Sequence, residues 1–344
     1  MKRLRIDWID YQAEGSTIES FISSSKSELL GWEIYFNKPI PEAEAWFVIE
    51  GSSMKVEEMS VPDGMLFFGT GDTIWGPDFY NGKKWRLAFL AQFNQVFSCH
   101  EIDLPNAVNE IPFHHWMINA NTGTNAISNH NRNYDYLVNL EVPTKDKDIS
   151  VICSTKSFTP HHARRLKFVE GLKNHFGERL DWYGNGKMPV QEKWDALVDY
   201  KFSIAIENQI KHNVITEKIL DPYLTYTFPI YCGAPNINEY FDENSFLSID
   251  IFDLEGSIDK IEKLLNNPIS SSAMDQMVKS REKVLNDYNF VQRIVGIAEY
   301  NFEKIQKTKY RETLVVPMSQ YQPWTSKVRD RLTSKLYGVY RLFR

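Results

Sequence analysis

The chain has 344 residues, 42% hydrophobic and 24% charged, so it is long enough for two domains that each bury a core and its composition excludes disorder as a default state. A formal net charge of −6 excludes the strongly basic surface of a general nucleic-acid binder. Cys99, Cys153 and Cys232 lie far apart with no CxxC spacing, which excludes a zinc ribbon, argues against a disulfide framework and predicts buried free thiols.

The opening "MKRLRIDWID" alternates apolar and polar residues like a strand and lacks the apolar stretch of a signal peptide. No window approaches the roughly 20 apolar residues of a spanning helix. The simplest expectation is a cytoplasmic protein. Strand-like runs follow at 4–9, 45–49, 65–68 and 95–98, with amphipathic helical pieces at 18–30 and 85–93, an alternation that predicts a parallel sheet with covering helices. Residues 119–148 are rich in Asn and turn formers, so a domain boundary is expected near 143–148. A second alternation then predicts strands at 149–153, 180–183, 202–206 and 229–232, with helices at 160–175, at 191–199 and near Thr216. Late helices at 257–266, 271–285 and 289–307 complete that domain. The expected division is 1–146, 147–310 and a tail at 311–344. Two open α/β domains place ligands in the cleft at the carboxyl ends of the strands.

The stretch "KFSIAIENQIKHNVITEKIL" runs a buried strand straight into charge. Glu207 and Asn208 follow the strand. Thr216 has the side chain of a helix N-cap, with Glu217 and Lys218 as the first helical residues. Free N–H groups and the partial positive charge of a helix N-terminus favour phosphate, and Lys218 adds a full charge beside them. The plainer alternative is a surface loop followed by a capped helix. Pro222 requires that helix to be short or kinked.

"YKFSIAIEN", seven further residues and "TEKILDPYLTYTFPIYCGAPNINEYF" together resemble the signature of the bacterial α1,3-fucosyltransferases of glycosyltransferase family 10. Weaker similarity lies in "FLAQFNQVFS", "IPFHHWM" and "SVICSTKSFTPHHARRLKFVEGL". The resemblance implies an α/β fold of the GT-B type, with two Rossmann-like domains facing a central cleft and a C-terminal amphipathic tail. The first domain would receive the acceptor and the second would bind GDP-fucose. It implies inverting transfer of L-fucose to a glycan acceptor hydroxyl, with O3 of N-acetylglucosamine expected, in surface polysaccharide or lipopolysaccharide synthesis. No cofactor and no essential divalent metal are implied.

By the same resemblance Lys218 contacts the diphosphate, and Glu217 holds ribose hydroxyls or faces the developing positive charge of the sugar. Arg165 matches the phosphate-binding arginine, with Arg164 as the alternative, and Glu207, Asn208 and Thr216 shape the donor pocket. The family's base is a glutamate in a TGE-like turn; here "MLFFGTGDTIW" puts Asp72 in that position, one methylene shorter. Val214 is a second departure, because some bacterial members carry an aromatic residue there. A related transferase with another nucleotide sugar and a catalytically silent glycan-binding scaffold are the competing readings.

Asp146 and Asp148 in "KDKD" mimic a metal-binding DxD but precede a strand rather than end one. The pairs His114-His115 and His161-His162 lack partners at metal-ligand spacing. "WYGNG" is no phosphate loop and is read as a turn near the donor. From Tyr321 onward six basic residues face one acid, Asp330, a net of +5 that leaves −11 on the rest of the chain. Val328, Leu332, Leu336, Val339 or Tyr340, and Phe343 recur there at helical spacing, so residues 321–344 are expected to contact the inner face of an anionic membrane peripherally.

Overall fold

The structure is a computed structural model and describes residues 1–8, 20–23, 28–29, 31–50, 56–71, 77–123, 127, 131–155, 157, 159–305 and 309–325. It contains the two α/β units expected from the alternating pattern. The first unit is built on β1 (Lys2–Trp8), β2 (Glu28–Leu29), β3 (Trp32–Phe36), β4 (Ala45–Ile49), β6 (Leu66–Gly69), β7 (Gln95–Ser98) and β8 (Ala107–Asn109), with β5 (Glu57–Pro62) outside this sheet. Its order is β2-β3-β1-β4-β6-β7-β8, parallel except for β2. Every residue of β4, "AWFVI", is buried, as a central parallel strand covered on both faces requires. Helices α1 (Pro77–Asn81) and α2 (Lys84–Leu90) lie between β6 and β7.

After the short α3 (Tyr134–Val138), the second unit runs β9 (Lys147–Ile152), α4 (Pro160–Phe176), β10 (Leu180–Tyr183), β11 (Tyr200–Ile206), α5 (Glu217–Leu224), β12 (Phe228–Cys232), β13 (Leu247–Ser248), α6 (Leu254–Asn266) and α7 (Ser271–Leu285). The sheet order β10-β9-β11-β12-β13 is parallel throughout. The chain leaves β9 first to one side and then to the other, so the carboxyl ends of β9 and β11 form the topological switch point where such sheets bind ligands. Cys99, Cys153 and Cys232 are buried free thiols, as the spacing predicts.

Several expectations are corrected. Residues 191–199 do not form an α-helix; only a 3-10 turn, Lys193–Ala196, is present, and the backbone N–H groups of Lys193 and Trp194 bond to Ala120 O and Ile118 O at 2.8 Å each. Glu28 and Leu29, expected in a helix, pair antiparallel with β3. The second unit gathers the chain before residue 143: besides those two bonds, Thr122 bonds Val190, and Arg281 of α7 donates to Leu137 O. The last helix, α8 (Phe290–Glu303), does not complete the second unit but returns to the first. Phe290 packs on Trp8 and Phe21, Arg293 donates to Ile111 O and Pro112 O at 2.8 Å, and Glu299 accepts from Trp32 Nε1 at 2.5 Å. Residues 310–315, expected to begin a tail, form β14 (Tyr310–Val315), antiparallel to β5, followed by α9 (Met318–Tyr321). The amphipathic stretch from Val328 to the C-terminus lies outside the described residues. No helix among the described residues is long and apolar enough to cross a membrane.

Candidate active site

β11 is buried on both faces and ends at Ile206, delivering Glu207 and Asn208 to the switch point. Nine residues on, Thr216 caps α5, its hydroxyl accepting from the Lys218 N–H. Helix α5 is short, eight residues with Pro222 inside, and the N–H groups of Thr225 and Thr227 turn back onto Pro222 O. Gly233, just past β12, leaves room for this arrangement: a Cβ there would sit 2.1 Å from the Tyr231 hydroxyl and 2.5 Å from Glu207 Cγ.

A cavity of about 240 Å³ opens at the switch point. Cys153 and Ser154 after β9, Arg165 of α4, Gly184 and Asn185 after β10, Asn208 after β11 and Glu217 and Lys218 of α5 line it. Thr122 and Gly123 close it from the segment that arrives from the first unit, and Lys193 reaches both this cavity and a smaller one of about 50 Å³ beside Asp221. Two larger cavities, about 420 and 550 Å³, lie at the amino ends of β11 and β12 and along α4 and β10, and neither gathers buried charges in this way.

Arg165 Nη1 donates to Asn208 Oδ1 at 2.5 Å, while its buried Nε has no hydrogen-bond partner among the described residues. Arg164 instead points outward over the exposed Phe252 ring, 4.5 Å from its centroid. Lys218 Nζ lies 3.1 Å from Glu217 Oε1, 3.2 Å from Thr216 Oγ1 and 3.7 Å from Glu207 Oε2. Glu207 is fully buried and does not line the cavity; it stands behind the helix cap and braces it. Val214 is likewise fully buried away from the cavity lining.

Burial alone would drive the Glu217 carboxyl up, yet Lys218, Lys193 and His114 together hold it well below the usual range. Burial pulls Lys218 down, but Glu217 and Glu207 outweigh it and raise the lysine above its ordinary value. Burial raises Glu207 against the opposing pull of Lys218. Asp221, one turn along α5, is pushed up to about 7 by burial, with Lys193 opposing and Glu217 reinforcing. Its Oδ1 accepts from the Met117 N–H at 2.8 Å.

Three of these groups were not legible in the sequence. Lys193 falls in a stretch expected to be helical, Asp221 stands in no motif position that marks it out, and the partner of His114 is 103 positions away: His114 Nε2 sits 3.6 Å from Glu217 Oε2. Met117 and His114 belong to one segment leaving β8, which carries the first unit across to α5. Asp72 lies outside the described residues; β6 ends three positions before it, at the carboxyl edge of the first sheet. Among the described residues no group of three or more His, Cys, Asp or Glu side chains could hold a metal ion.

Residues 142–271, which span β9 through the start of α7 and hold Arg165, Asn208, Glu217 and Lys218, match the family described as glycosyltransferase family 10 (fucosyltransferase) C-term. That part of the second unit is similar to the family 10 glycosyltransferases. Over 76 residues, 22% of this chain and 16% of the relative, it is 37% identical to an α-(1,3)-fucosyltransferase FucT of Helicobacter pylori. Over 174 residues, 44% of this chain and 41% of the relative, it is 26% identical to an α-(1,4)-fucosyltransferase of Arabidopsis thaliana. A GDP-fucose protein O-fucosyltransferase 3 of Xenopus laevis is 29% identical over 149 residues, 38% of this chain and 31% of the relative. The chain therefore spans well under half the length of these curated relatives. A crystal structure of an α1,3-fucosyltransferase with GDP-fucose aligns at a TM-score of 0.48 and 17% identity, over 89% of this chain and 92% of the other. Within the matched residues the cavity gathers Arg165, Lys193 and Lys218, with Lys218 in the first turn of α5.

Proposed function

We propose that this protein transfers L-fucose from GDP-fucose to a hydroxyl of a glycan acceptor, with inversion and without an essential divalent metal. The observation that carries the reading is the convergence of Arg165 and Lys218 at the capped N-terminus of α5, within the residues that match family 10. Departure of GDP builds negative charge on the β-phosphate, which the Arg165 guanidinium, the Lys218 ammonium and the positive end of α5 stabilise. Arg165 can grip two phosphate oxygens with its planar fork, and its unsatisfied Nε is one donor ready for that use. Glu217 then faces the ribose hydroxyls or the positive charge that develops on the sugar.

Asp72 takes the proton from the attacking acceptor hydroxyl in this proposal; its sequence position, three residues after the end of β6, supports it. The acceptor is read as O3 of N-acetylglucosamine in a surface polysaccharide or lipopolysaccharide. Residues 321–344, basic and amphipathic in sequence, would seat the protein on the inner, cytoplasmic face of the membrane.

The test is GDP release by the purified chain from GDP-fucose, GDP-mannose and UDP-sugars, with and without EDTA, followed by an acceptor array. Release from GDP-fucose alone, unchanged by EDTA, is expected. No release from any donor, together with no calorimetric binding of GDP, would overturn the enzymatic reading. Removing residues 321–344 should abolish binding to anionic vesicles and spare turnover of a soluble acceptor.

A further inference from the structure

We infer that Lys193 is a positioning residue for the transfer: it anchors the Glu217 carboxylate at the cavity wall when Lys218 turns to the donor's diphosphate. The inference rests on the donor-binding role proposed above for Glu217 and Lys218. Lys193 is 7% exposed, an unusual burial for a lysine, which is tolerated only where the charge has a partner. Its backbone N–H is tied to Ala120 O, so the side chain projects from a pinned turn. Its Nζ reaches Glu217 Oε1 at 3.4 Å and the weak acceptor Met117 Sδ at 3.9 Å, and its charge also acts on Asp221.

Lys218 pairs with the same carboxylate oxygen at 3.1 Å. One oxygen is thus bracketed by two ammonium groups, although a single cation would neutralise the charge. A diphosphate entering the cavity attracts Lys218, which also has Thr216 and Glu207 to leave. Without a second cation Glu217 would then be a buried carboxylate without a full countercharge, and such groups take up a proton instead. Around Glu217 stand Lys218 and Asp221 of α5, Lys193, His114 from the first unit, Glu207 after β11, and Arg165 of α4, which faces Lys218. Among them Lys193 is the second ammonium on Glu217 Oε1, and it stands on the turn Lys193–Ala196 rather than on the helix cap, reaching the smaller cavity beside Asp221 as well as the donor cavity.

The experiment compares full-length wild type with Lys193→Met and Lys193→Arg. In Lys193→Met the acid limb of kcat/KM for GDP release from GDP-fucose should move to higher pH by about one unit or more, the effect of losing one close countercharge. The fall in kcat should exceed the rise in donor KM. Lys193→Arg should restore the limb. An acid limb that stays in place in Lys193→Met overturns the inference. Should wild type release no GDP, the donor reading fails by itself and thermal unfolding still tests Lys193. Glu217 is held below its unfolded value of 4.5, so its stabilisation is present above that pH and lost as pH falls through the folded value. The Tm gap between wild type and Lys193→Met should therefore narrow on acidification. A constant gap would mean that Lys193 only fills space.

Discussion

Glu207 and Thr216 are joined twice: the Thr216 N–H donates to Glu207 Oε1 and the Thr216 hydroxyl to Oε2, each at 2.8 Å. The end of β11 is thereby bolted to the start of α5, and the helix N-terminus cannot drift from the switch point. Truncating Glu207→Ala leaves a buried N–H and hydroxyl unpaired and removes a countercharge of Lys218, so a loss on the order of 3 kcal/mol of stability is expected. Urea unfolding would show it as a lower midpoint, and Glu207→Gln, which keeps an acceptor, should lose less.

Arg165 and Lys218 are the groups proposed to meet the developing phosphate charge. Arg165→Ala and Lys218→Ala should each lower kcat/KM for the donor by roughly 30-fold to 1000-fold, equivalent to about 2 to 4 kcal/mol of barrier. Arg165→Lys should not restore the rate, because an ammonium cannot reproduce the bidentate grip. Initial-rate kinetics with GDP-fucose decide both points.

Asp72→Asn should abolish transfer while leaving GDP affinity unchanged, since a proton acceptor would be lost and no donor contact removed. A drop of at least about 100-fold in transfer is the expected size for a general base. Calorimetry with GDP alongside an acceptor assay separates the two effects. Transfer at the wild-type rate would remove Asp72 from the mechanism.

Asp221 is raised to about 7 in the folded protein from 3.8. A raised value means that its stabilising contribution is fully present below about pH 4 and is lost as pH rises through 7. Asp221→Asn keeps an oxygen for the Met117 N–H but cannot ionise. The variant should therefore gain on wild type between pH 4 and 8, read as a difference in Tm that grows with pH. A difference that stays flat would show that Asp221 does not titrate in this window.

Gly233→Ala places a Cβ against the Tyr231 hydroxyl and Glu207 Cγ, both of them buried. Overpacking of this kind costs roughly 1 to 3 kcal/mol, and here it also pushes on the Glu207–Thr216 brace. A lower unfolding midpoint accompanied by weaker GDP binding is expected.

The sequence by itself determined what is local. The apolar runs of β4 and β11 made strands because continuous β-branched and aromatic residues need two covered faces. Thr216-Glu217-Lys218 made a capped helix start because the N-cap acts over two residues. That left Glu207, Asn208, Glu217 and Lys218 close together before any tertiary contact was known. The tertiary structure alone decided that Arg164 turns outward over Phe252, that Lys193 and His114 converge on Glu217, and that α8 and β14 return to the first unit. Hydrophobic periodicity records which face of an element is buried but not which element covers it. These contacts span from 24 to more than 250 positions and follow from the order of strands in each sheet, which no short stretch of residues encodes.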